Sequence, residues 1–105
     1  METAEQDVRI LRLAAKAIGV HIAQGSRIAI DGKIWNPLED DGDALRLSVR
    51  LKIDLHFARD YVQASYANRD VNIMLPHSFS LNEPYVNDRN AATRRAIVRA
   101  AAEIG

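Results

Sequence analysis

Ile53-Asp54-Leu55-His56-Phe57-Ala58-Arg59-Asp60-Tyr61-Val62-Gln63-Ala64-Ser65-Tyr66, running on through Ala67-Asn68-Arg69-Asp70-Val71-Asn72-Ile73-Met74-Leu75-Pro76, is the stretch whose alternation decides the fold. Side chains of a strand alternate between the two faces of a sheet, so a register can be tested against the turns that impose it. A two-residue turn at Arg59-Asp60 places Phe57 opposite Val62, Leu55 opposite Ala64 and Ile53 opposite Tyr66. All are apolar and share one face. A second, four-residue loop from Ala67 to Asp70 places Tyr66 opposite Val71, Ala64 opposite Ile73 and Val62 opposite Leu75. A slip by one residue turns every one of these side chains towards water, so the pattern predicts an antiparallel three-stranded meander over about 53–76.

The opposite face then carries Asp54, His56, Gln63, Ser65, Asn72 and Met74. That mostly polar set predicts a sheet packed on one side and solvated on the other. Beyond it, Pro76 to Asn87 reads as a long connection, with prolines at both Pro76 and Pro84 and with Phe79 or Tyr85 laid over the edge of the core. An alanine-rich helix over about 88–104 closes the chain, its inward stripe expected at Thr93, Ile97, Ala100, Ala101 and Ile104.

Upstream, Thr3 and Gln6 have the form of a capping box. Val8, Leu11, Ala15 and Ile18 follow at helical spacing, with Ile10, Ala14 and Ala17 widening the stripe, and Gly19 supplies a stop. A helix over about 4–18 is predicted, placed to touch both the sheet and another helix. Arg27 to Ile30 and Lys33 to Trp35 flank Asp31-Gly32, a dipeptide suited to a two-residue hairpin turn, which makes about 27–35 a candidate extension of the sheet. Asn36-Pro37 ends it. A helix over about 41–51 follows, with aspartates at its N-terminal end and Arg46, Arg50 and Lys52 at the other, as the helix dipole favours. The class is therefore α+β: a three-stranded meander and a short hairpin packed with three helices, in two layers or with a partial third.

A chain of 105 residues forms one domain, 1–105, and 48% hydrophobic against 27% charged residues is ordinary globular composition. The absence of cysteine rules out disulfides, thiolate zinc sites and cysteine nucleophiles. Fourteen basic residues balance fourteen acidic ones, so no long-range field gathers nucleic acid or anionic lipid. No apolar run reaches membrane-spanning length, and the acidic N-terminus differs from a secretory signal. A cytoplasmic protein without a membrane partner is expected.

The acidic run Glu39, Asp40, Asp41, Asp43 lacks the alternating ligand spacing of a calcium loop and reads as helix capping. Trp35 beside the Asn-Pro turn reads as an apolar anchor. His21, His56 and His77 lack metal-motif spacing. His56, with Asp54 on the same face and Gln63 nearby, is the residue a small enzyme could use for acid–base work, yet no serine or cysteine nucleophile aligns with it. Arg94, Arg95 and Arg99, together with Arg89, suggest nucleic-acid contacts by the last helix. Asp88 and Glu103 bracket them, and a solvated helix face explains the pattern more simply.

The run Trp35-Asn36-Pro37-Leu38-Glu39-Asp40-Asp41-Gly42-Asp43-Ala44-Leu45-Arg46-Leu47, a meander, and the closing Ala91-Ala92-Thr93-Arg94-Arg95-Ala96-Ile97 together resemble the uncharacterised phage proteins grouped under a phage "ABA sandwich" domain. The resemblance implies a bacteriophage or prophage origin, a place in the host cytoplasm and a layered α/β fold. It assigns no catalytic residue, metal or cofactor. The expectation that follows is a non-enzymatic accessory protein that contacts a phage or host protein through His56, Gln63, Asn72, Met74, Phe79 and Tyr85. Weak nucleic-acid binding through Arg94, Arg95 and Arg99 ranks second and a small enzyme last. The strand edges leave room for a homodimer.

Overall fold

Left-handed caps end two of the helices, and those caps set where the chain turns back on itself. The computed structural model describes residues 4–20, 28–30, 32–67 and 78–105. In chain order the elements are α1 (Ala4–Ala17), β1 (Ala29–Ile30), β2 (Lys33–Ile34), α2 (Asp41–Leu51), β3 (Asp54–Phe57), β4 (Tyr61–Tyr66), β5 (Phe79–Pro84) and α3 (Arg89–Ile104). After α1, Gly19 takes φ 81°, its N–H donates to Lys16 O, and the Val20 N–H donates to Ala15 O at 2.9 Å. This paired arrangement satisfies carbonyls that the helix end leaves open. Thr3, half of the expected capping box, lies outside the described residues.

The β1–β2 hairpin pairs Ala29 with Ile34 and Ile30 with Lys33, and Gly32 in its turn adopts φ 79°, as a two-residue hairpin requires. Trp35, 8% exposed, follows as a core residue, its N–H donating to Ile28 O at 2.8 Å. The acidic cluster then builds the start of α2. Asp40 Oδ1 accepts from the Gly42 and Asp43 N–H groups, and buried Asp43 reaches back to accept from the Asn36 N–H at 2.9 Å. Asn36 Oδ1 in turn accepts from the Leu38 N–H. At the far end Lys52 takes φ 57°, the left-handed position that glycine usually fills, while the Ile53 N–H closes on Ser48 O.

The three-stranded sheet has the order β3-β4-β5, antiparallel throughout. Between β3 and β4 the expected register is present, with Leu55 opposite Ala64 and Phe57 opposite Val62, and the Ala58 N–H bonds Tyr61 O across Arg59-Asp60. The third strand differs from expectation. Val71 to Leu75, the expected partner, lies outside the described residues, and the free side of β4 is taken by β5 instead: Tyr66 faces Phe79, Ala64 faces Leu81 and Val62 faces Glu83. The Pro76 to Asn87 connection, a loop by its sequence, thus contains a strand. Phe79, Leu81 and Glu83 alternate inward and Ser80, Asn82 and Pro84 outward. A charge at an inward position and a proline at the end hide that alternation, and both are devices suited to a sheet edge, where they hinder pairing with another chain.

α3 is the centre of the molecule. It packs on β4 and β5 with one side and on α1 and α2 with others, so Ala92, Ala96, Ile97, Val98, Ala100 and Ala101 are all buried. Of the inward stripe expected at Thr93, Ile97, Ala100, Ala101 and Ile104, the middle three are buried and Thr93 and Ile104 half-buried, while the burial of Ala92, Ala96 and Val98 makes the buried face wider than expected. Small side chains let its neighbours approach from several directions. α1 takes α3, rather than the sheet, as its main partner. Its Ala14 and Ala15 are fully buried against the same core, and Val8, expected in the buried stripe, stays 46% exposed. The Asp7–Arg95 ion pair and the approach of Gly105 to the Leu13 carbonyl, so close that a Cβ there would collide with it, show that α1 and α3 run side by side in the same direction. Phe57, expected inside, is 61% exposed. The cover provided by α3 reaches β4 and β5, and Phe57 sits at the far end of the outlying strand.

Candidate functional site

The outer sheet face is the surface the sequence singles out, and the register fixes its composition. His56 lies opposite Gln63 and Gln63 opposite Asn82, so one row of polar side chains crosses all three strands. Asp54, Ser65 and Ser80 form the next row. The Gln63 side chain donates to Asn82 Oδ1 at 3.3 Å, a link that only the strand assignment of Asn82 makes visible. His56 and Asp54 are exposed. Asn72 and Met74, expected on this face, lie outside the described residues.

Phe79 and Tyr85, expected over the edge of the core as well as among the contact residues, are held by the body of the protein. Phe79 points inward, its ring centroid 5.7 Å from that of Tyr66. The Tyr85 N–H bonds Asp60 O at 3.0 Å, and the Arg89 guanidinium lies 5.2 Å from the centre of its ring, a cation–π contact.

The arginines of α3 are engaged with the packed elements rather than forming a solvated face. Arg94 Nε donates to Leu38 O at 2.8 Å, and its Nη1 pairs with Asp41 at 2.6 Å, tying α3 to the entrance of α2. Arg95 pairs with Asp7 of α1 at 2.8 Å. Arg99 pairs with the inward Glu83 of β5, whose side chain is only 13% exposed. Three arginines on one helix thus fasten three different neighbours. The partners of Arg95 and Arg99 lie on α1 and on a strand that the sequence disguises, so nothing in local spacing reveals them.

Where these elements meet, a cleft of about 580 Å³ opens between the first turns of α1, the Asn36–Glu39 turn, the end of β5 and the start of α3. Val8, Leu38 and Val86 give it apolar walls, and Asp7, Glu39, Glu83 and Asp88 are set among them with Arg95. Val86 is 78% exposed. Burial, and secondarily the neighbouring Glu39 charge, push the Asp7 carboxyl above the ordinary carboxylate range. Burial and then the Arg99 charge lower Arg95. Both partners of the pair are thus shifted against their charged forms despite the short contact, because the loss of water outweighs the attraction gained. A second cleft, of about 400 Å³, lies between the β1–β2 hairpin and α2, floored by Trp35 and Leu47 and edged by Lys33 and Arg50. The Arg50 side chain donates to Ile18 O across it.

Among the described residues no group of three or more His, Asp or Glu side chains is placed to hold a metal ion, and no helix is long and apolar enough to cross a membrane. No protein-family model, no curated protein and no solved structure matches this chain.

Proposed function

We propose that this chain is a small non-enzymatic interaction module, an accessory protein of a phage or prophage acting in the host cytoplasm, that holds a segment of a phage or host protein in the cleft between α1, β5 and α3. The single observation that carries the reading is the juxtaposition there of exposed Val86 and Val8 with carboxylates of the wall. Aliphatic surface left open beside charge is characteristic of a contact site rather than of a solvated surface. Asp7 and Glu83 are paired with Arg95 and Arg99 and Asp88 caps α3, so Glu39 is the wall charge through which a lysine or arginine beside aliphatic side chains of the segment would be recognised. The phage origin rests on the sequence resemblance alone.

Nucleic-acid binding through α3 ranks behind this reading because Arg94, Arg95 and Arg99 are each committed to a carboxylate within the fold. The use of His56 as a catalytic base ranks last, since it lies on an open polar row outside both clefts.

The test is capture of partners from infected or induced cells, followed by titration of the purified partner against Val86→Asp and against a His56→Ala/Gln63→Ala double variant. Affinity lost with Val86→Asp and kept with the double variant is the expected result. The reverse pattern moves the contact to the outer sheet face and refutes the cleft. Retention on nucleic acid that falls with salt and with Arg94→Ala refutes the whole reading.

A further inference from the structure

The second cleft, of about 400 Å³ between the β1–β2 hairpin and α2, combines an apolar floor with an excess of positive charge. Trp35 and Leu47 are 8% and 2% exposed and belong to the core, so packing from beneath fixes the floor. Ile30 and exposed Ile34 extend it along the hairpin. The charged side chains of the lining are Lys33, Asp43, Arg46 and Arg50. Two of them cancel. Asp43 Oδ1 accepts from Arg46 at 2.8 Å, and its Oδ2 accepts from the Asn36 N–H. Arg50 donates at 3.1 Å to Ile18 O, a neutral carbonyl that holds the guanidinium at the cleft and leaves its charge unbalanced. Lys33 is exposed and has no ion-pair partner among the described residues. Among those residues no carboxylate besides Asp43 lines the cleft.

We propose that this cleft is a binding site for a small amphiphilic organic acid, its carboxylate drawn to Lys33 and Arg50 and its aliphatic body laid on Trp35, Leu47 and Ile34. The volume falls within the roughly 300–1,000 Å³ of small-molecule sites, which join apolar walls to a few polar groups that orient the ligand. The sign of the head follows from the two unbalanced cations. Its single charge follows from the helix end beside them. Ile18 stands just past the C-terminal end of α1, where the dipole is negative, so the backbone there offers a dianionic phosphate none of the donors that a helix N-terminus supplies. An apolar body is required because exposed lysine and arginine hold a bare anion only weakly. This site shares no residue with the cleft of the proposed function and does not depend on it.

Trp35 is the only tryptophan of the chain, so its fluorescence reports on this cleft directly. Titration with octanoate should change the emission saturably, with Kd on the order of 0.1–1 mM for a flexible ligand in a partly exposed site. Octylammonium, with the same chain and the opposite charge, should bind about tenfold more weakly or worse. Acetate, which lacks the chain, should leave the emission unchanged. Lys33→Gln should weaken octanoate binding about threefold, and Lys33→Gln combined with Arg50→Gln about tenfold, with circular dichroism confirming the fold of each. Exposed Lys33 keeps the single variant informative even where loss of the Arg50 bond to Ile18 O disturbs folding. Backbone amide shifts in the isotope-labelled chain should centre on residues 33–35 and 46–50. Octylammonium binding as tightly as octanoate, octyl phosphate binding more tightly, an affinity unchanged by Lys33→Gln, or amide shifts centred on α1 and α3 would overturn the proposal, as would the lack of a saturable response below about 10 mM.

Discussion

The inward Glu83 offers a sharp test of how the third strand is held. Its side chain is 13% exposed and that of its partner Arg99 is 38% exposed, so the two ends of the pair differ in how easily water can replace the lost partner. Glu83→Gln leaves Arg99 a neutral acceptor and access to solvent, and should cost about 1 kcal/mol, below the roughly 1.5–3 kcal/mol of a full hydrogen bond to a charged group. Arg99→Met strands a carboxylate against the α3 side of the sheet, near Asp88 in the wall of the same cleft, and should cost about 2–3 kcal/mol. With an m-value of roughly 1.5 kcal/mol/M, the second change lowers the urea midpoint by about 1–2 M and the first by less than about 1 M. Combining Glu83→Leu with Arg99→Met removes both charges and should be less destabilising than Arg99→Met alone, because the penalty lies in the unpaired ion. Equal costs for the two single changes, or a double variant whose loss equals their sum, would show that the pair contributes nothing specific to seating β5.

Three further outcomes follow from the packing. Ala96→Leu keeps helix propensity but inserts volume where α3 is fully buried, and should lower stability by about 1–3 kcal/mol in the same urea assay. Lys52→Gly relieves a side chain held at φ 57° and should raise stability by about 0.5–1 kcal/mol in a thermal melt. Asp7→Asn tests the pair with Arg95 through pH. Burial and Glu39 raise Asp7 in the folded chain above its ordinary value of 3.8, so the folded state holds that proton more tightly than the unfolded one, and the contribution of Asp7 to stability falls as pH climbs from about 3.8 through the raised folded value. The stability of Asp7→Asn relative to wild type should therefore improve between acid and neutral pH. A difference that stays flat, or moves the other way, means that the Arg95 contact dominates.

The parts of the fold visible in the sequence are those set by neighbours close in the chain. The helices ending at Gly19 and beginning at Asp40 are announced by their caps, whereas Asp88, read only as the start of the last helix, proves to be its N-cap, its carboxylate accepting from the Asn90 and Ala91 N–H groups. The β3–β4 register is visible because the turn and the alternation agree over a few residues. β5 is not, because its inward series ends in Glu83, acceptable there only once Arg99 is supplied from a distant helix. The cleft is hidden for the same reason: α1, the Asn36–Glu39 turn, β5 and α3 contribute to it together, and no local pattern reports that meeting. The acidic run reads as capping, which Asp40 performs, but the bond from the Asn36 N–H to Asp43 and the pairing of Asp41 with Arg94 depend on tertiary structure.

Charge neutrality acquires a different meaning once the partners are placed. A net charge of zero excludes a strong field at a distance, yet some of the charges serve the fold rather than only a solvated surface. Asp7, Asp41 and Glu83 are matched by Arg95, Arg94 and Arg99, each linking α3 to a different part of the chain. Part of the neutrality is therefore a by-product of holding a small sheet and two helices around an alanine-rich core that supplies few large apolar contacts. The surface features left to recognise another molecule are then mainly the apolar residues the core does not absorb: Val8 and Val86 at the cleft, Leu45 and Val49 on α2. Val8 and Val86 border the cleft, whereas Leu45 and Val49 lie apart from it on α2, so Leu45→Glu should leave partner binding in the cleft unchanged in the same titration.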